Sequence, residues 1–263
     1  MKIFEKLSNK RWIKKNSHLL INVKTEFGYL NLLKNDQFIT SSFINDEYWA
    51  KNELKTIVDL LNFKKKDELI YFDVGSNIGS HVLAISKIFN SKVKIFCFEP
   101  QSFIFKILQS NIYENNLQNV VSFNKAISDK NQILTIKVPN YSENNNFGGL
   151  ELIKAKFSDN HLINFSNINE EVESIPLDNF INHKVDFIKM DIEGMEHLGI
   201  NGGIELIKKH RPFLIIELKK TNLDFILSFF KNSDYSAYLS NDGNGLFVPN
   251  ELGMMVKNIK KII

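Results

Sequence analysis

Apolar and polar positions along this chain follow two periods. From residue 69 to residue 218, short continuous apolar runs alternate with stretches carrying apolar residues every three or four positions. The runs predict strands over 69–73, 93–99, 120–127, 186–191 and 212–218. The helical spacing predicts helices over 80–89, 102–115, 196–209 and 222–232. Strands without polar alternation, set between amphipathic helices, indicate a mostly parallel sheet covered on both faces. Right-handed crossovers then give a doubly wound α/β domain. A further helix is expected over 47–61, with Trp49, Leu54, Ile57, Val58 and Leu61 on one face and Asn45-Asp46 as its cap.

Three segments depart from this rhythm. Residues 18–23, 29–33 and 37–41 read as short strands of a hairpin or cap. Residues 138–173 are rich in Asn, Ser and Glu and read as a long loop, which in a compact domain is functional or mobile. Residues 236–239 and 245–248 read as a terminal hairpin with an antiparallel strand. The expected organisation is an N-terminal strand or hairpin extension over 1–45, a main domain over 46–250, and a C-terminal helix over 251–263. That helix, with Val256, Ile259, Ile262 and Ile263 beside Lys257, Lys260 and Lys261, is expected on the sheet or on a second subunit. An anionic membrane surface is the lesser alternative.

Composition narrows the class. The 263 residues suit one elaborated domain, and 43% hydrophobic content with 22 Phe supports a large core. A net charge of +3 does not supply the concentrated basic face that nucleic acid requires. The one cysteine, Cys97, falls inside an expected strand, so it reads as a buried small hydrophobe. No zinc spacing is present, and no apolar run approaches a membrane span. The N-terminus lacks the apolar core of a signal peptide. The expected location is the cytoplasm.

The chemistry starts at Tyr71-Phe72-Asp73-Val74-Gly75-Ser76-Asn77-Ile78-Gly79. An apolar strand ends in an acid, two glycines follow, and a helix begins at about Ser80. Glycine serves where the backbone takes positive φ or approaches a ligand closely. The helix start adds free amides and the positive end of a dipole. The next strand ends at Glu99-Pro100. An acid at that point, about 20 residues past the glycines, is where a Rossmann-type fold binds a ribose diol. The dinucleotide pattern G-x-G-x-x-G is missing, since the spacing is Gly75-x-x-x-Gly79.

A second block, Lys189-Met190-Asp191-Ile192-Glu193-Gly194-Met195-Glu196, gathers charge at the next strand end. Ligands in open α/β sheets sit beyond the carboxyl ends of the strands. Asp73, Glu99, Asp191 and Glu217 all stand at or near such ends, so they are expected to converge on one site. Glu193 and Glu196 read equally well as partners of a helix dipole. Lys189 is unusual inside a strand and is expected to pair with an acid or to extend outward.

These blocks, with Phe98-Glu99-Pro100, Ala126-Ile127-Ser128-Asp129 and Asn244-Gly245-Leu246-Phe247-Val248-Pro249, resemble the FkbM family of S-adenosylmethionine-dependent methyltransferases. The likeness spans roughly residues 45 to 250. Ser76 and Met195 stand where alanine is common in that family. The resemblance implies a Rossmann-like class I methyltransferase fold. It implies that Gly75, Ser76, Asn77 and Gly79 form the turn beside the methionine part of the cofactor. Asp73 would contact its amino group, and Glu99 both ribose hydroxyls. The segment from Ala126 to Asp129 would lie against adenine, with Phe98 and Ile127 placed to sandwich the ring.

Methyl transfer from a sulfonium is an in-line displacement, so alignment supplies much of the acceleration. A hydroxyl acceptor must also lose its proton to a base or a metal-bound group. Asp191 is the first candidate base, followed by Glu193, Glu196 and His81. His81 reads first as a helix-start residue beside the cofactor, and His161 first as a solvated loop residue. Asp191 and Glu193 offer oxygen ligands to Mg²⁺, but two acids are too few to predict it. Family analogy points to an O-methyltransferase acting on a sugar hydroxyl in bacterial glycan or natural-product assembly. An NAD-dependent oxidoreductase and a non-catalytic module with a vestigial site are the alternatives. Residues 1–45 either cover the site or build a homodimer.

Overall fold

The central strand is β3 (Leu69–Val74), and every second side chain along it enters a different core. Tyr71 lies in one hydrophobic cluster, while Phe72 and Val74 lie in the other. The same alternation runs through β4 (Val93–Phe98), β9 (Phe187–Met190) and β10 (Phe213–Glu217). A strand buried on both faces has no polar period, which is why these four strands read as mostly apolar runs. The computed structural model describes residues 2–45, 47–153, 163–240, 242–254, 256 and 260–263.

Among the described residues, eight strands form the main sheet in the order β13 (Lys260–Lys261), β11 (Tyr235–Leu239), β12 (Asn244–Pro249), β10, β9, β3, β4 and β5 (Val120–Phe123). Strands β5 (Val120–Phe123), β4, β3, β9 and β10 run parallel. Strand β12 (Asn244–Pro249) enters antiparallel beside β10, and β11 (Tyr235–Leu239) pairs outside it. Helices α3 (Lys51–Phe63), α4 (Ser80–Phe89) and α5 (Ser102–Glu114) contribute Ile57, Leu83 and Leu108 to the first cluster. Helices α6 (Glu196–Asn201), α7 (Ile204–His210) and α8 (Leu223–Asn232) contribute Ile200, Leu206 and Phe230 to the second. Cys97 is fully buried in the sheet, as a small hydrophobe would be.

Several expected elements differ. Residues 2–15 form helix α1 (Lys2–Lys15), whose Trp12 ring meets Phe103 of α5 at 4.9 Å. Strands β1 (Leu20–Thr25) and β2 (Gly28–Leu33) form the expected hairpin. Residues 37–41 do not form a strand. The Asp36 carboxylate accepts the amides of Phe38, Ile39 and Thr40 and starts helix α2 (Ile39–Ile44). Helix α3 begins at Lys51 rather than 47, because Ala50 takes a left-handed φ of 50° and Tyr48 packs against Phe27 and Phe43. Asn45 ends α2 instead of capping α3.

The expected strand over 120–127 breaks after Phe123, where the Asn124 side chain donates to the carbonyls of Glu99 and Pro100. Its remainder is β6 (Ala126–Ile127). Residues 138–173 are no simple loop. Strands β7 (Gln132–Pro139) and β8 (Phe165–Ile175) pair antiparallel, and β6 joins β8 in a three-stranded sheet. Only one face of this sheet is covered, by Ile136, Leu150, Ile163 and Val172, so its other face is polar and hides the strand signal.

The expected helix over 251–263 is absent among the described residues. Lys260–Lys261 form β13, antiparallel to β11, and Ile262 and Ile263 pack on the second cluster. Arg211 holds this end through Glu251, with Nη2 to Oε2 at 2.8 Å. Ile262 and Ile263, two residues of the expected apolar stripe, are therefore spent on the sheet edge, and Val256 packs on the first cluster. Ile259 and Lys257 lie outside the described residues.

Candidate cofactor and active site

The turn after β3 is built against the end of β4. The amides of Gly75 and Ser76 both donate to the Phe98 carbonyl, at 3.0 and 2.9 Å. Ser76 Oγ donates to the Asp73 carbonyl at 2.6 Å and accepts from the Phe98 amide at 3.1 Å. Gly75 takes φ +82°, and a Cβ there would overlap the Asp191 carbonyl oxygen. Only glycine brings this turn against the end of β9. Gly79, at φ +86°, precedes α4.

Glu99 closes the same corner. Its Oε2 accepts the Asn77 amide at 3.0 Å and its Oε1 accepts the Gln101 amide at 2.9 Å. One carboxylate thus ties the glycine turn to the loop that starts α5. The residue is 3% exposed, and burial pushes its carboxyl up to about 8. Each oxygen keeps a further lone pair, so the group still accepts two hydroxyls of a diol.

A cavity of about 980 Å³ opens over the carboxyl ends of the parallel strands. Asp73, Gly75, Ser76, Asn77 and Glu99 line it from the glycine turn. Ile127 reaches it from β6, His81 from α4, and Asp191 and Glu193 from the segment after β9. Three expected site residues, Gly79, Asp129 and Glu196, are not on its wall. Gly79 sits behind it as the cap of α4, and Asp129 lies beyond Ile127, accepting from Ser128 Oγ at 3.2 Å. His161 lies outside the described residues.

The N-terminal segment covers this cavity. Phe38, Ile39, Tyr48 and Trp49 form one wall, and Asn146, Gly148 and Leu150 of the Asn-rich loop form the adjoining one. The two walls are hydrogen-bonded together, with the Gln37 amide to the Asn145 carbonyl at 3.1 Å and the Asn145 amide to the Asn35 carbonyl at 2.9 Å. Gln101 Nε2 donates to the Phe147 carbonyl at 3.0 Å and anchors the loop beside Glu99.

At the floor, Lys189 has a partner that its position in the strand conceals. Asp73 and Lys189 are opposite each other in the β3–β9 register. Lys189 Nζ lies 3.9 Å from Asp73 Oδ1 and 3.5 Å from Asp191 Oδ2. Burial disfavours the Lys189 ammonium, but Asp191, Asp73 and Glu53 reverse this and push its pKa up. Asp73 is 1% exposed, and burial raises its carboxyl to about 7 against the pull of Lys189. His81 is pushed down to about 3 by burial and by Lys189, so its ring is neutral near pH 7. Sequence reasoning missed Glu53, which lines this floor from α3. A first-turn glutamate on an amphipathic helix reads as a dipole partner, and no spacing distinguishes the two.

Asp191, Glu193 and Glu217 bring one carboxylate oxygen each within 4.8 Å of one another. Hard oxygen ligands of this kind suit Mg²⁺. Lys220 already sits 2.6 Å from Glu193 Oε2 and supplies positive charge there. Burial, then Asp191, raises the pKa of both Glu193 and Glu217. Glu196 does different work. It is fully buried and accepts the amides of Ile192 and Gly194 at 2.9 and 3.1 Å, so it shapes the turn before α6.

A parallel sheet with this strand order, an antiparallel β12, a glycine turn after the central strand and an acid after its neighbour defines a Rossmann-like, class I methyltransferase. The family model described as "Methyltransferase FkbM domain" matches residues 73–237, more than half of the chain. The chain belongs to the FkbM methyltransferases, which use S-adenosylmethionine. This sets aside the oxidoreductase alternative. Among solved structures, the FkbM methyltransferase of Methylobacillus flagellatus KT is 19% identical over 69% of this chain, with a TM-score of 0.49. The alignment covers 44% of that protein, so this chain spans less than half its length. Precorrin-6y C5,15-methyltransferase from Geobacter metallireducens GS-15 aligns at 12% identity over 74% of this chain and 84% of its own, with a TM-score of 0.39. Aeropyrum pernix fibrillarin with bound S-adenosyl-L-methionine aligns at 7% identity over 69% and 66%, with a TM-score of 0.41. No curated protein matches the chain. Among the described residues no helix is long and apolar enough to cross a membrane.

Proposed function

We propose that this methyltransferase transfers the methyl group of S-adenosylmethionine to a hydroxyl oxygen of a sugar or similarly polar small molecule. The observation that carries the cofactor half is Glu99, buried at the corner of the cavity with acceptor capacity left on both oxygens. Glu99 takes the ribose hydroxyls, the turn through Gly75 and Asn77 admits the backbone to the methionyl part, and Asp73 takes its ammonium. Ile127 covers one face of the adenine. When bound, the donor supplies an electrophilic methyl group.

The acceptor half rests on family analogy and on the polar lining at the other side of the cavity, where Asp191, Glu193, Glu217 and Asn244 offer hydrogen-bond partners to hydroxyls. Trp49 and Tyr48 offer apolar faces to a ring. Asp191 is the proton acceptor in this reading. Its side chain is 44% exposed toward the cavity, the most accessible of the floor's acids. Residues 46–250 carry the methyltransferase domain, residues 1–45 cover its acceptor side, and the chain works in the cytoplasm.

Calorimetric titration with S-adenosylhomocysteine tests the reading. Micromolar binding that Glu99→Ala abolishes is the expected result, followed by methyl incorporation into sugar acceptors from labelled donor. A folded chain that binds no S-adenosylhomocysteine would remove this cofactor site.

A further inference from the structure

The floor of the cavity carries more buried acid than base. Glu53 of α3, Asp73 of β3 and Lys189 of β9 have side-chain exposures of 9%, 1% and 6%. His81 beside them adds no charge. Two buried carboxyls share one ammonium there, and burial raises the pKa of both, so the floor holds too little positive charge to keep both ionised. Two polar atoms there have no hydrogen-bond partner, Asp73 Oδ1 and His81 Nε2. His81 Nε2 lies 3.3 Å from Glu53 Oε1 but outside hydrogen-bonding alignment. Buried polar atoms in folded proteins are nearly always satisfied, so two orphans side by side on the cavity floor indicate a place for a polar ligand group.

We propose that Glu53 is a second acidic partner, beside Asp73, of the donor's α-ammonium group. The inference rests on the cofactor reading above. With the ribose at Glu99, the glycine turn leads along the cavity wall to Asp73, and Glu53 and His81 line the same cavity. An ammonium placed there supplies the positive charge that favours ionisation of both carboxyls and gives Asp73 Oδ1 a donor. Glu53 is held for the task by an element from the far end of the chain. Asn244 Nδ2 of β12 donates to its Oε2 at 2.6 Å. A carboxylate accepts about four hydrogen bonds, so both oxygens retain capacity for the ligand. Helix α3 precedes every motif of the cofactor site, and Glu53 makes it part of the donor's binding surface.

Calorimetry with two probes separates this contact from general damage to the site. S-adenosylhomocysteine carries the amino-acid group; 5′-methylthioadenosine shares the adenosine and thioether but lacks it. In the full chain, Glu53→Gln is expected to weaken S-adenosylhomocysteine about tenfold or more while leaving 5′-methylthioadenosine unchanged. Glu53→Asp should recover part of the loss. Equal weakening of both probes, or no change in either, overturns the proposal. Should Glu53→Gln fail to fold by its melting curve, Asn244→Ala removes the anchor of Glu53 and is judged by the same selective loss. If the unaltered chain binds neither probe, the cofactor reading falls with the proposal, and that outcome is seen before any variant is compared.

Discussion

A carboxyl group buried away from water is more stable protonated than the same group in an open chain, even where two backbone amides pull the other way. Glu99 is in that position, at about 8 against an ordinary 4.5. The sign follows from proton counting. Below about pH 4.5 the folded and unfolded chains both hold this proton. As pH rises toward 8 the unfolded chain releases it and the folded chain retains it, so folding loses stability across that window. Asp73, raised to about 7 by burial, adds the same sign up to that pH. Urea unfolding of the ligand-free protein should therefore give a lower midpoint at pH 8 than at pH 5.5. The difference attributable to Glu99 is on the order of a few kcal/mol. Glu99→Gln should lessen the dependence, Asp73 keeping part of it, and an unchanged slope in that variant would reject this assignment.

Among the elements, α5 carries an unusual attachment. Asn111 and Asn115 stand one turn apart and present their amides to β2 as a neighbouring strand would. Asn111 Oδ1 accepts the Asn31 amide at 2.7 Å while its Nδ2 donates to the Asn31 carbonyl at 3.2 Å. Asn115 repeats the pair on Tyr29, at 2.9 and 2.6 Å. Asn111 also donates to the Ile78 carbonyl at 2.9 Å, inside the glycine turn, whereas Asn115 makes no bond to that turn. Asn115→Ala should thus lower stability by about 1–3 kcal/mol in chemical denaturation, with S-adenosylhomocysteine affinity unchanged. Loss of affinity in parallel with stability would show that the hairpin and the cofactor turn are coupled through more than Asn111. The amides of α5 were invisible in the sequence because asparagines at helical spacing carry no apolar signal. The same reason hid β7 and β8, whose outward positions Glu171 and Glu173 break the apolar pattern. Strands β3, β4, β9 and β10 were legible because burial on both faces leaves mostly apolar residues. The strand-end acids were legible with them, since a strand that can be read also shows where it stops. Glu53 and Asn244 meet only in the folded chain, 191 positions apart, and no local pattern joins them.

For the molecule as a whole, the segment ahead of the family's motifs is part of the main core. Leu30, Leu32, Leu33 and Phe43 belong to the same cluster as Ile57, Leu83 and Ile95. The extension over 1–45 thus shares its packing with the sheet as well as covering the cavity. Deleting residues 1–45 should abolish a single cooperative thermal transition and raise binding of a hydrophobic dye, because α3, α4 and α5 would lose their cover. A truncated chain that melts sharply near the temperature of the full one would mean the extension is dispensable for folding. The asparagine pair on α5 has one more consequence. A two-stranded hairpin ends in an open row of amides and carbonyls, and β2, with the sequence Gly-Tyr-Leu-Asn-Leu-Leu, is a sticky template for another chain. Asn111 and Asn115 occupy that row from within the molecule. They act as a built-in stopper against edge-to-edge aggregation, at a place where a charged residue or a proline would have to do the same work on an uncovered edge.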